Sequence, residues 1–420
     1  MTFPLSDFGR TFSGPAGITE LMKDLGEALS VSRDMRMLGG GNPAHIPAVQ
    51  AVWRRRMAEL QREDGVLDRA LANYDPPQGG PAFLEAMCAC LHAEFGWNLT
   101  PENIAITNGS QNSFFFLFNM LAGPQQGRMR RILLPLCPEY IGYADQGLAP
   151  DFFRAQRPRV ELEGDHAFKY GVDFDALQVT PDIAALCVSR PTNPSGNVLT
   201  DEEMAHLAGL ARQHDIPLLV DNAYGRPFPD IIFTDARPVW DEQHILSFSL
   251  SKLGLPGVRT GIVVARPEII RALSSINAVI SLANGNLGQA LVLPLLQSGE
   301  LLALSRDVIR PYYLEKSRQA RRWLADAFGE GVPYRIHRSE GALFLWLWFE
   351  GLPIPAAELY RRLKQRKVLI IPGHYFFFGL GEEWRHGHEC IRLTFSQPAE
   401  VVQEGIAVLA DEVARAYAEG

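Results

Sequence analysis

Short apolar runs alternate with helical patterns from residue 104 onward, and this alternation constrains the fold more than any other feature of the sequence. Parallel strands need long crossover connections, so strands that alternate with helices predict a mainly parallel sheet. We expect an α/β fold whose sheet is flanked by helices. The predicted strands are Ile104–Thr107, 131–136, Ile183–Ser189, 216–220, 244–246 and 258–265.

Proline, glycine and capping residues predict where the helices begin and end. Residues 1–50 have a loop-rich composition, and residues 46–72 have the periodicity of one helix. Pro81 is a typical first helical residue, and Thr200 with Glu203 forms a capping box. These signals predict helices between the strands.

The length of the chain predicts two domains. A single hydrophobic core rarely grows beyond roughly 250 to 300 residues, and this chain has 420. A long amphipathic pattern over residues 301–328 could connect two units. We place a large domain at residues 51–305 and a smaller α+β domain at residues 1–50 together with 306–420.

Charge and composition argue against several classes of function. The formal charge of −8 and the absence of a long basic block argue against nucleic-acid binding. No apolar stretch approaches the roughly 20 residues of a membrane span, and residues 1–12 lack the pattern of a secretory signal. The five cysteines are scattered without disulfide-like spacing. We therefore expect a soluble protein of the reducing cytoplasm.

Residues 247–261 hold a lysine among groups that suit a phosphate. Lys252 follows a predicted strand end, where α/β enzymes place their ligands. Ser249 and Ser251 supply hydroxyl groups, and Arg259 supplies a planar fork of donors. An amine in such surroundings suggests pyridoxal phosphate. For this stretch alone, a solvated lysine in an ordinary polar loop is the alternative.

Other predicted strands also end in polar clusters. Ser110 lies where a strand gives way to a helix, whose N-terminus favours a phosphate. Tyr140 follows a strand and could stack on a flat ring. Asn193 is held between two prolines. Asp221 ends a buried strand, where a carboxylate needs a cation such as a pyridinium nitrogen. The alternatives are a helix cap at Ser110, a core aromatic at Tyr140, a simple turn at Asn193, and a loop-capping or metal-binding aspartate at Asp221. The sheet edge that these residues share indicates one ligand site instead.

Taken in their order along the sequence, these clusters resemble those of the fold-type I aminotransferases that use pyridoxal phosphate. The resemblance covers essentially the whole chain. The motifs are N-P-S-G at 193–196, D-N-A-Y at 221–224 and S-x-S-K at 249–252. The resemblance implies a seven-stranded type of sheet and a Schiff base between Lys252 and the cofactor. It assigns catalytic roles to Lys252, Asp221 and Tyr224, cofactor contacts to Gly109, Ser110, Gln111, Tyr140, Asn193, Ser249, Ser251 and Arg259, and substrate contacts to Arg392, Gly41, Asn193 and Tyr140.

The same resemblance implies the partners of the chain. Tyr74, in the motif N-Y-D-P-P-Q-G, matches a tyrosine that reaches the phosphate of the neighbouring subunit's site. It therefore implies a homodimer with shared active sites, and amino acids and 2-oxo acids as substrates. Motifs at 37–43, 138–145 and 250–257 resemble the branch of the family that exchanges an amino group between L-valine and pyruvate by a ping-pong mechanism.

Other functions stay open at this point. A broad-specificity aromatic or 2-aminoadipate aminotransferase has a similar loop after the lysine, and a regulatory module without turnover or a β-eliminating lyase could share the fold. His386, His388 and Cys390 have a spacing that could bind zinc, but histidines in a polar loop are more often solvated, and we predict no metal. Two of the three aromatics at 376–378 are expected in the core.

Overall fold

The computed structural model describes residues 3–14, 17, 22–24, 26–27, 34–329 and 331–420. These residues form two main sheets with helices packed around them. The described α-helices are Asp7–Ser13, Pro47–Arg62, Val66–Ala72, Pro81–Phe95, Ser110–Leu121, Asp201–Gln213, Pro267–Ser281, Leu287–Ser298, Glu300–Leu304, Arg310–Phe328, Ala356–Gln365, Arg385–Glu389 and Ala399–Glu419, with a π-helical turn at Ser305–Ile309.

The larger sheet confirms the predicted α/β fold. Gly261–Val264 is antiparallel to both of its neighbours, and the short strand Gly123–Gln125 is antiparallel to the strand beside it, while all other strands run in one direction. The order is Ile104–Thr107, Gly261–Val264, His244–Ser249, Leu218–Asp221, Ile183–Ser189 and Arg128–Leu134, whose outer edge is shared by Gly123–Gln125 and Phe153–Ala155.

The parallel strands bring their carboxyl ends to one edge of this sheet. Every residue of Ile183–Ser189 is buried, as expected for a strand covered by helices on both faces. Ser189 pairs in register with Asp221, which in turn pairs with Ser247 on the next strand. The polar residues that follow neighbouring strands therefore lie close together.

The second sheet joins distant parts of the chain. A separate two-stranded sheet pairs Arg36–Met37 with Val368–Leu369, so the N-terminal segment packs with the C-terminal part. The second sheet contains, in order, Ile371–Pro372, Cys390–Thr394, Phe344–Phe349, Tyr334–His337, Ala167–Gly171 and Arg159–Glu163.

Two predictions of local structure were wrong. The helix predicted over residues 46–72 is interrupted: Pro47–Arg62 ends at Glu63, whose backbone is extended, and Gly65, with a φ of +71°, precedes the second helix Val66–Ala72. The expectation of loops over residues 1–50 fails at Asp7–Ser13, where the Ser6 side chain caps a helix by accepting a hydrogen bond from Gly9 N at 3.1 Å. Residues 1–2, 15–16, 18–21, 25 and 28–33 of that range lie outside the described residues.

The helices of the described chain include no single one with the length and apolar character of a membrane span. One pair of consecutive helical segments, Leu287–Ser298 and Glu300–Phe328, meets those criteria only when taken together, and the two are bent by 92° relative to each other.

Candidate active site

A cavity of about 560 Å³ lies at the carboxyl edge of the larger sheet. Its volume is that of an ordinary small-molecule pocket. The strand ends, the start of the Ser110–Leu121 helix and the segment 39–42 form its walls. The sequence-predicted site residues that line it are Gly41, Ser110, Gln111, Tyr140, Asn193, Asp221, Tyr224, Ser249, Ser251, Lys252, Arg259 and Arg392.

Lys252 lies in the short 3-10 turn Ser251–Leu253, directly after the strand His244–Ser249. Its Nζ donates a hydrogen bond to the carbonyl oxygen of Gly41 at 2.8 Å. The same nitrogen lies 5.3 Å from the ring centre of Tyr224. The turn thus holds the lysine amine inside the cavity, between a backbone carbonyl and an aromatic ring.

The electrostatic surroundings of Lys252 favour its neutral form. Desolvation, followed by the charges of Arg392 and Arg259, lowers the pKa of Lys252 to about 8 against the opposing effect of Asp221. An ammonium group loses its proton more readily in such a setting, and only the neutral amine acts as a nucleophile or base. The cavity therefore prepares this lysine for both roles near neutral pH.

One end of the cavity gathers donors suited to a phosphate. Gly109, with a φ of +94°, lies against the guanidinium of Arg259, and a Cβ at this position would overlap that group. The helix Ser110–Leu121 begins beside it. Ser249 Oγ accepts a hydrogen bond from Ser251 N at 3.1 Å. A guanidinium, a helix N-terminus and hydroxyl groups together form an anion site.

Two predicted phosphate contacts are bonded to the protein itself. Gln111 Nε2 donates to the carbonyl oxygen of Gly142 at 2.7 Å, and Ser110 Oγ donates to that of Phe248 at 3.3 Å. The Gln111 side chain secures the turn that follows Tyr140. Its backbone N–H is therefore better placed for an anion than its side-chain amide.

Asp221 ends the strand Leu218–Asp221 with both carboxylate oxygens bonded. Oδ1 accepts from Ala223 N at 2.9 Å, and Oδ2 accepts from the hydroxyl of Tyr143 at 2.5 Å. Burial raises the pKa of Asp221, while Tyr143, Ala223 and the charge of Lys252 act in the opposite direction. A carboxylate fixed in this way suits a protonated ring nitrogen.

Arg392 lies at the other end of the cavity, in the strand Cys390–Thr394. Its Nη1 donates to Asn193 Oδ1 at 2.6 Å, and its Nη2 donates to the carbonyl oxygen of Gly39 at 2.7 Å. The guanidinium carbon lies 4.1 Å from the ring centre of Phe344. Its buried Nε has no hydrogen-bond partner among the described residues. Such a cation suits a substrate carboxylate.

Some predicted groups lie apart from this cavity. Tyr74 does not line it, and 80% of Tyr74 is exposed in the single chain. His386 Nε2 is hydrogen-bonded to the hydroxyl of Tyr170 at 2.5 Å, whereas His388 pairs with Glu383 at 2.7 Å. Within the described residues, no group of three or more His, Cys, Asp or Glu side chains is arranged for a metal.

Sequence reasoning gave no role to three residues that shape the site. Tyr143 holds Asp221, and its position three residues after Tyr140 in one helical turn is a signal that could have found it. Phe344 packs against Arg392 from a neighbouring strand, for which the sequence carries no local signal. Glu139 lies fully buried beneath the cavity wall.

Comparison with known proteins places this geometry in a family. Residues 45–409 match the family model described as aminotransferase class I and II. The valine–pyruvate aminotransferase of Escherichia coli (strain K12) is 47% identical over 424 residues, which cover 100% of both chains.

Solved structures agree in fold along the whole chain. A putative amino-acid aminotransferase from Psychrobacter arcticum has a TM-score of 0.97 and 45% identity, and the match covers 100% of both chains. The valine–pyruvate aminotransferase from Salmonella typhimurium has a TM-score of 0.89 and 47% identity, covering 96% of this chain and 100% of that one. The chain therefore belongs to the class I and II aminotransferases, a family that depends on pyridoxal phosphate.

Proposed function

We propose that this aminotransferase transfers the amino group of L-valine to pyruvate by a ping-pong mechanism, giving 3-methyl-2-oxobutanoate and L-alanine. The observation that carries the proposal is the full-length 47% identity with the E. coli valine–pyruvate aminotransferase. We further propose that Lys252 binds pyridoxal phosphate covalently.

The charges in the cavity support a substrate with one carboxylate. Among the described lining residues, the lysines and arginines are Lys252, Arg259 and Arg392. If the first two serve the cofactor, Arg392 is left for the α-carboxylate. A second, distal carboxylate would lose its hydration without gaining a cation. Met37 and Ile141 add apolar surface to the lining, as a small aliphatic side chain requires.

The donor set of the cavity fits pyridoxal phosphate. Gly109 leaves room for the Arg259 guanidinium at the phosphate end, and Arg392 keeps a buried donor without a partner at the substrate end. Ser249, Ser251 and Arg259, with the backbone N–H groups at the start of the Ser110–Leu121 helix, would bind the phosphate.

When bound, pyridoxal phosphate supplies a ring that accepts the electron pair left by removal of the substrate's α-proton. Lys252 would take that proton and return it, as its lowered pKa allows. Asp221 would hold a proton at the ring nitrogen. Tyr140 would pack on the ring face, and Asn193 and Tyr224 would bind the ring oxygen.

Substrate preference gives the direct test of this function. We expect the holoprotein to transaminate valine with pyruvate, with a kcat/KM at least about 100-fold higher for valine than for 2-aminoadipate, because the distal carboxylate would be buried unpaired. Leucine and isoleucine should differ from valine by less, since one methylene changes binding by roughly 1 to 3 kcal/mol. A coupled assay of alanine formation measures these rates.

The same assay separates the alternatives. Absence of turnover with valine, together with turnover of phenylalanine or 2-aminoadipate, would contradict the proposed substrate. Release of ammonia and pyruvate from a cysteine conjugate would indicate a β-eliminating lyase. Cofactor binding without turnover of any amino acid would indicate a regulatory module.

We propose a homodimer in which Tyr74 contributes to the phosphate site of the other subunit. Its exposure outside the cavity of its own chain supports this contact. In a mixture of Lys252→Ala and Tyr74→Ala chains, each hybrid dimer would contain one intact site. We therefore expect about a quarter of wild-type activity after mixing at limiting cofactor, although each variant alone is impaired. No gain on mixing, or a monomeric mass in solution, would contradict shared sites.

We also propose a large domain at residues 51–305 and a small domain at 1–50 with 306–420. The pairing of Arg36–Met37 with Val368–Leu369 supports the composite small domain. By contrast, Arg159–Glu163 and Ala167–Gly171 lie in the range of the large domain but pair within the second sheet, whose other strands come from residues 334–394. Limited proteolysis tests the boundaries. The free cysteines fit our proposal of a cytoplasmic location, which cell fractionation would test.

A further inference from the structure

Glu139 is a buried carboxylate with no role in the proposed reaction. Its side chain has 0% exposure, and within the described part of the chain no ion pair joins it. Instead, Oε1 accepts from Ser189 N at 2.7 Å, while Oε2 accepts from Ser189 Oγ at 2.7 Å and from Tyr140 N at 3.0 Å. A buried carboxylate without a cation is costly, so these three donors indicate a specific use.

These hydrogen bonds connect two sides of the cavity. Tyr140 lines one wall, and Ser189 lies in register with Asp221 on the adjacent strand. The carboxylate therefore joins the backbone of the aromatic residue to the strand end beside Asp221. In addition, Glu139 N donates to the carbonyl oxygen of Phe376 at 3.0 Å, and the ring of Phe376 lies 5.4 Å from the Arg392 guanidinium.

The arrangement requires a carboxylate and not merely a polar side chain. Each oxygen faces a backbone N–H group, one from Ser189 and one from Tyr140, and neither can turn to become an acceptor. A glutamine would present an amide N–H group to one of them and leave that backbone donor without a partner.

Opposing effects act on the pKa of Glu139. The pKa of Glu139 is raised to about 7, chiefly by burial and also by the nearby Asp221, while the hydrogen bonds from Ser189 and Tyr140 act to lower it. The other titratable groups that interact electrostatically with this carboxylate are Cys137, Tyr143 and Cys187.

We propose that Glu139 is a positioning residue whose carboxyl group fixes the ring of Tyr140 relative to Asp221. Tyr140 would contact the face of the cofactor ring and Asp221 its nitrogen, so their separation sets where the ring lies. The inference rests on the proposed function for the ligand of the cavity, but not on the identity of the amino acid.

The test compares Glu139→Gln with Glu412→Gln in the full-length holoprotein. Glu412, in the helix Ala399–Glu419, is also a buried glutamate, but it forms an ion pair with Arg366 and does not line the cavity. We expect Glu139→Gln to weaken pyridoxal phosphate binding about tenfold, since one backbone donor loses its partner. It should also reduce the visible circular dichroism of the bound cofactor, which reports ring orientation. Glu412→Gln should lower the melting temperature and leave both cofactor signals unchanged.

Two further variants distinguish position from charge and keep the test decisive if Glu139→Gln does not fold. Glu139→Asp keeps the charge but is one methylene shorter, so it should resemble Glu139→Gln. Ser189→Ala removes only the hydrogen bond from the Ser189 hydroxyl group to Glu139. It should change the cofactor affinity and the circular dichroism in the same direction as Glu139→Gln, but by a smaller amount.

Wild-type affinity and dichroism in folded Glu139→Gln or Ser189→Ala, or full restoration by Glu139→Asp, would overturn the positioning role. Both signals are recorded without an amino acid, so they stay informative if valine is not a substrate. If instead the wild-type protein does not transaminate valine, only the proposed function is contradicted, and the positioning role of Glu139 is not.

Discussion

Replacing Lys252 with alanine is expected to reduce transamination of valine by at least about 10⁴-fold, because the variant loses the amine that we propose binds the cofactor and moves the α-proton. The lysine is held in the cavity 2.8 Å from Gly41 O, and no other lysine of the described chain lines that cavity. Single-turnover measurements with added pyridoxal phosphate and valine would give the residual rate.

Lys367→Ala is the matched control for this variant. Lys367 is half-exposed and pairs with Asp34, away from the cavity lining. We expect wild-type turnover from this control, and an unchanged melting temperature for Lys252→Ala would exclude unfolding as the cause of its loss. Turnover by Lys252→Ala within tenfold of the wild type would contradict the role of the lysine.

Replacing Arg392 with lysine is expected to lower kcat/KM for both valine and alanine by about 10² to 10³-fold. A lysine keeps the charge but loses the planar fork that bonds Asn193 and Gly39 and packs on Phe344. The orientation of the substrate carboxylate would then be poorly defined. Steady-state kinetics with both amino acids would measure the change.

Arg366→Lys provides the control for that change. Arg366 forms ion pairs with Asp411 and Glu412 on the C-terminal helix and does not line the cavity. Its kinetics should match the wild type. The cofactor absorption of Arg392→Lys should also be preserved, since this arginine is assigned to the substrate. An unchanged kcat/KM in Arg392→Lys would exclude it as the carboxylate-binding residue.

Local signals predicted much of the fold because they act between neighbouring residues. The helix Pro81–Phe95 begins at the predicted proline, the strand Ile183–Ser189 has the predicted bounds, and Thr200 forms the expected capping box. The break at residues 63–65 was missed, because a single glycine is tolerated inside many helices, and neither the extended backbone of Glu63 nor the left-handed backbone of Gly65 has a clear local signal.

The candidate site was predictable in its location and less so in its contacts. Parallel strands place their carboxyl ends together, so polar residues after several strands identified one edge of the sheet. The bond from Gln111 to Gly142, the bond from Tyr143 to Asp221 and the bonds of Glu139 could not be predicted in this way. They depend on side-chain directions that the alternation of strands and helices leaves undetermined.

By itself, the sequence determined the α/β architecture, the edge at which polar residues collect and, through its motifs, the family resemblance. The tertiary structure alone decided how those residues meet. Arg392 and Asn193 are 199 positions apart in the chain, yet their side chains lie 2.6 Å apart. Such contacts depend on how two sheets pack against each other, and packing over that separation has no local signal because it is selected by the burial of the whole core.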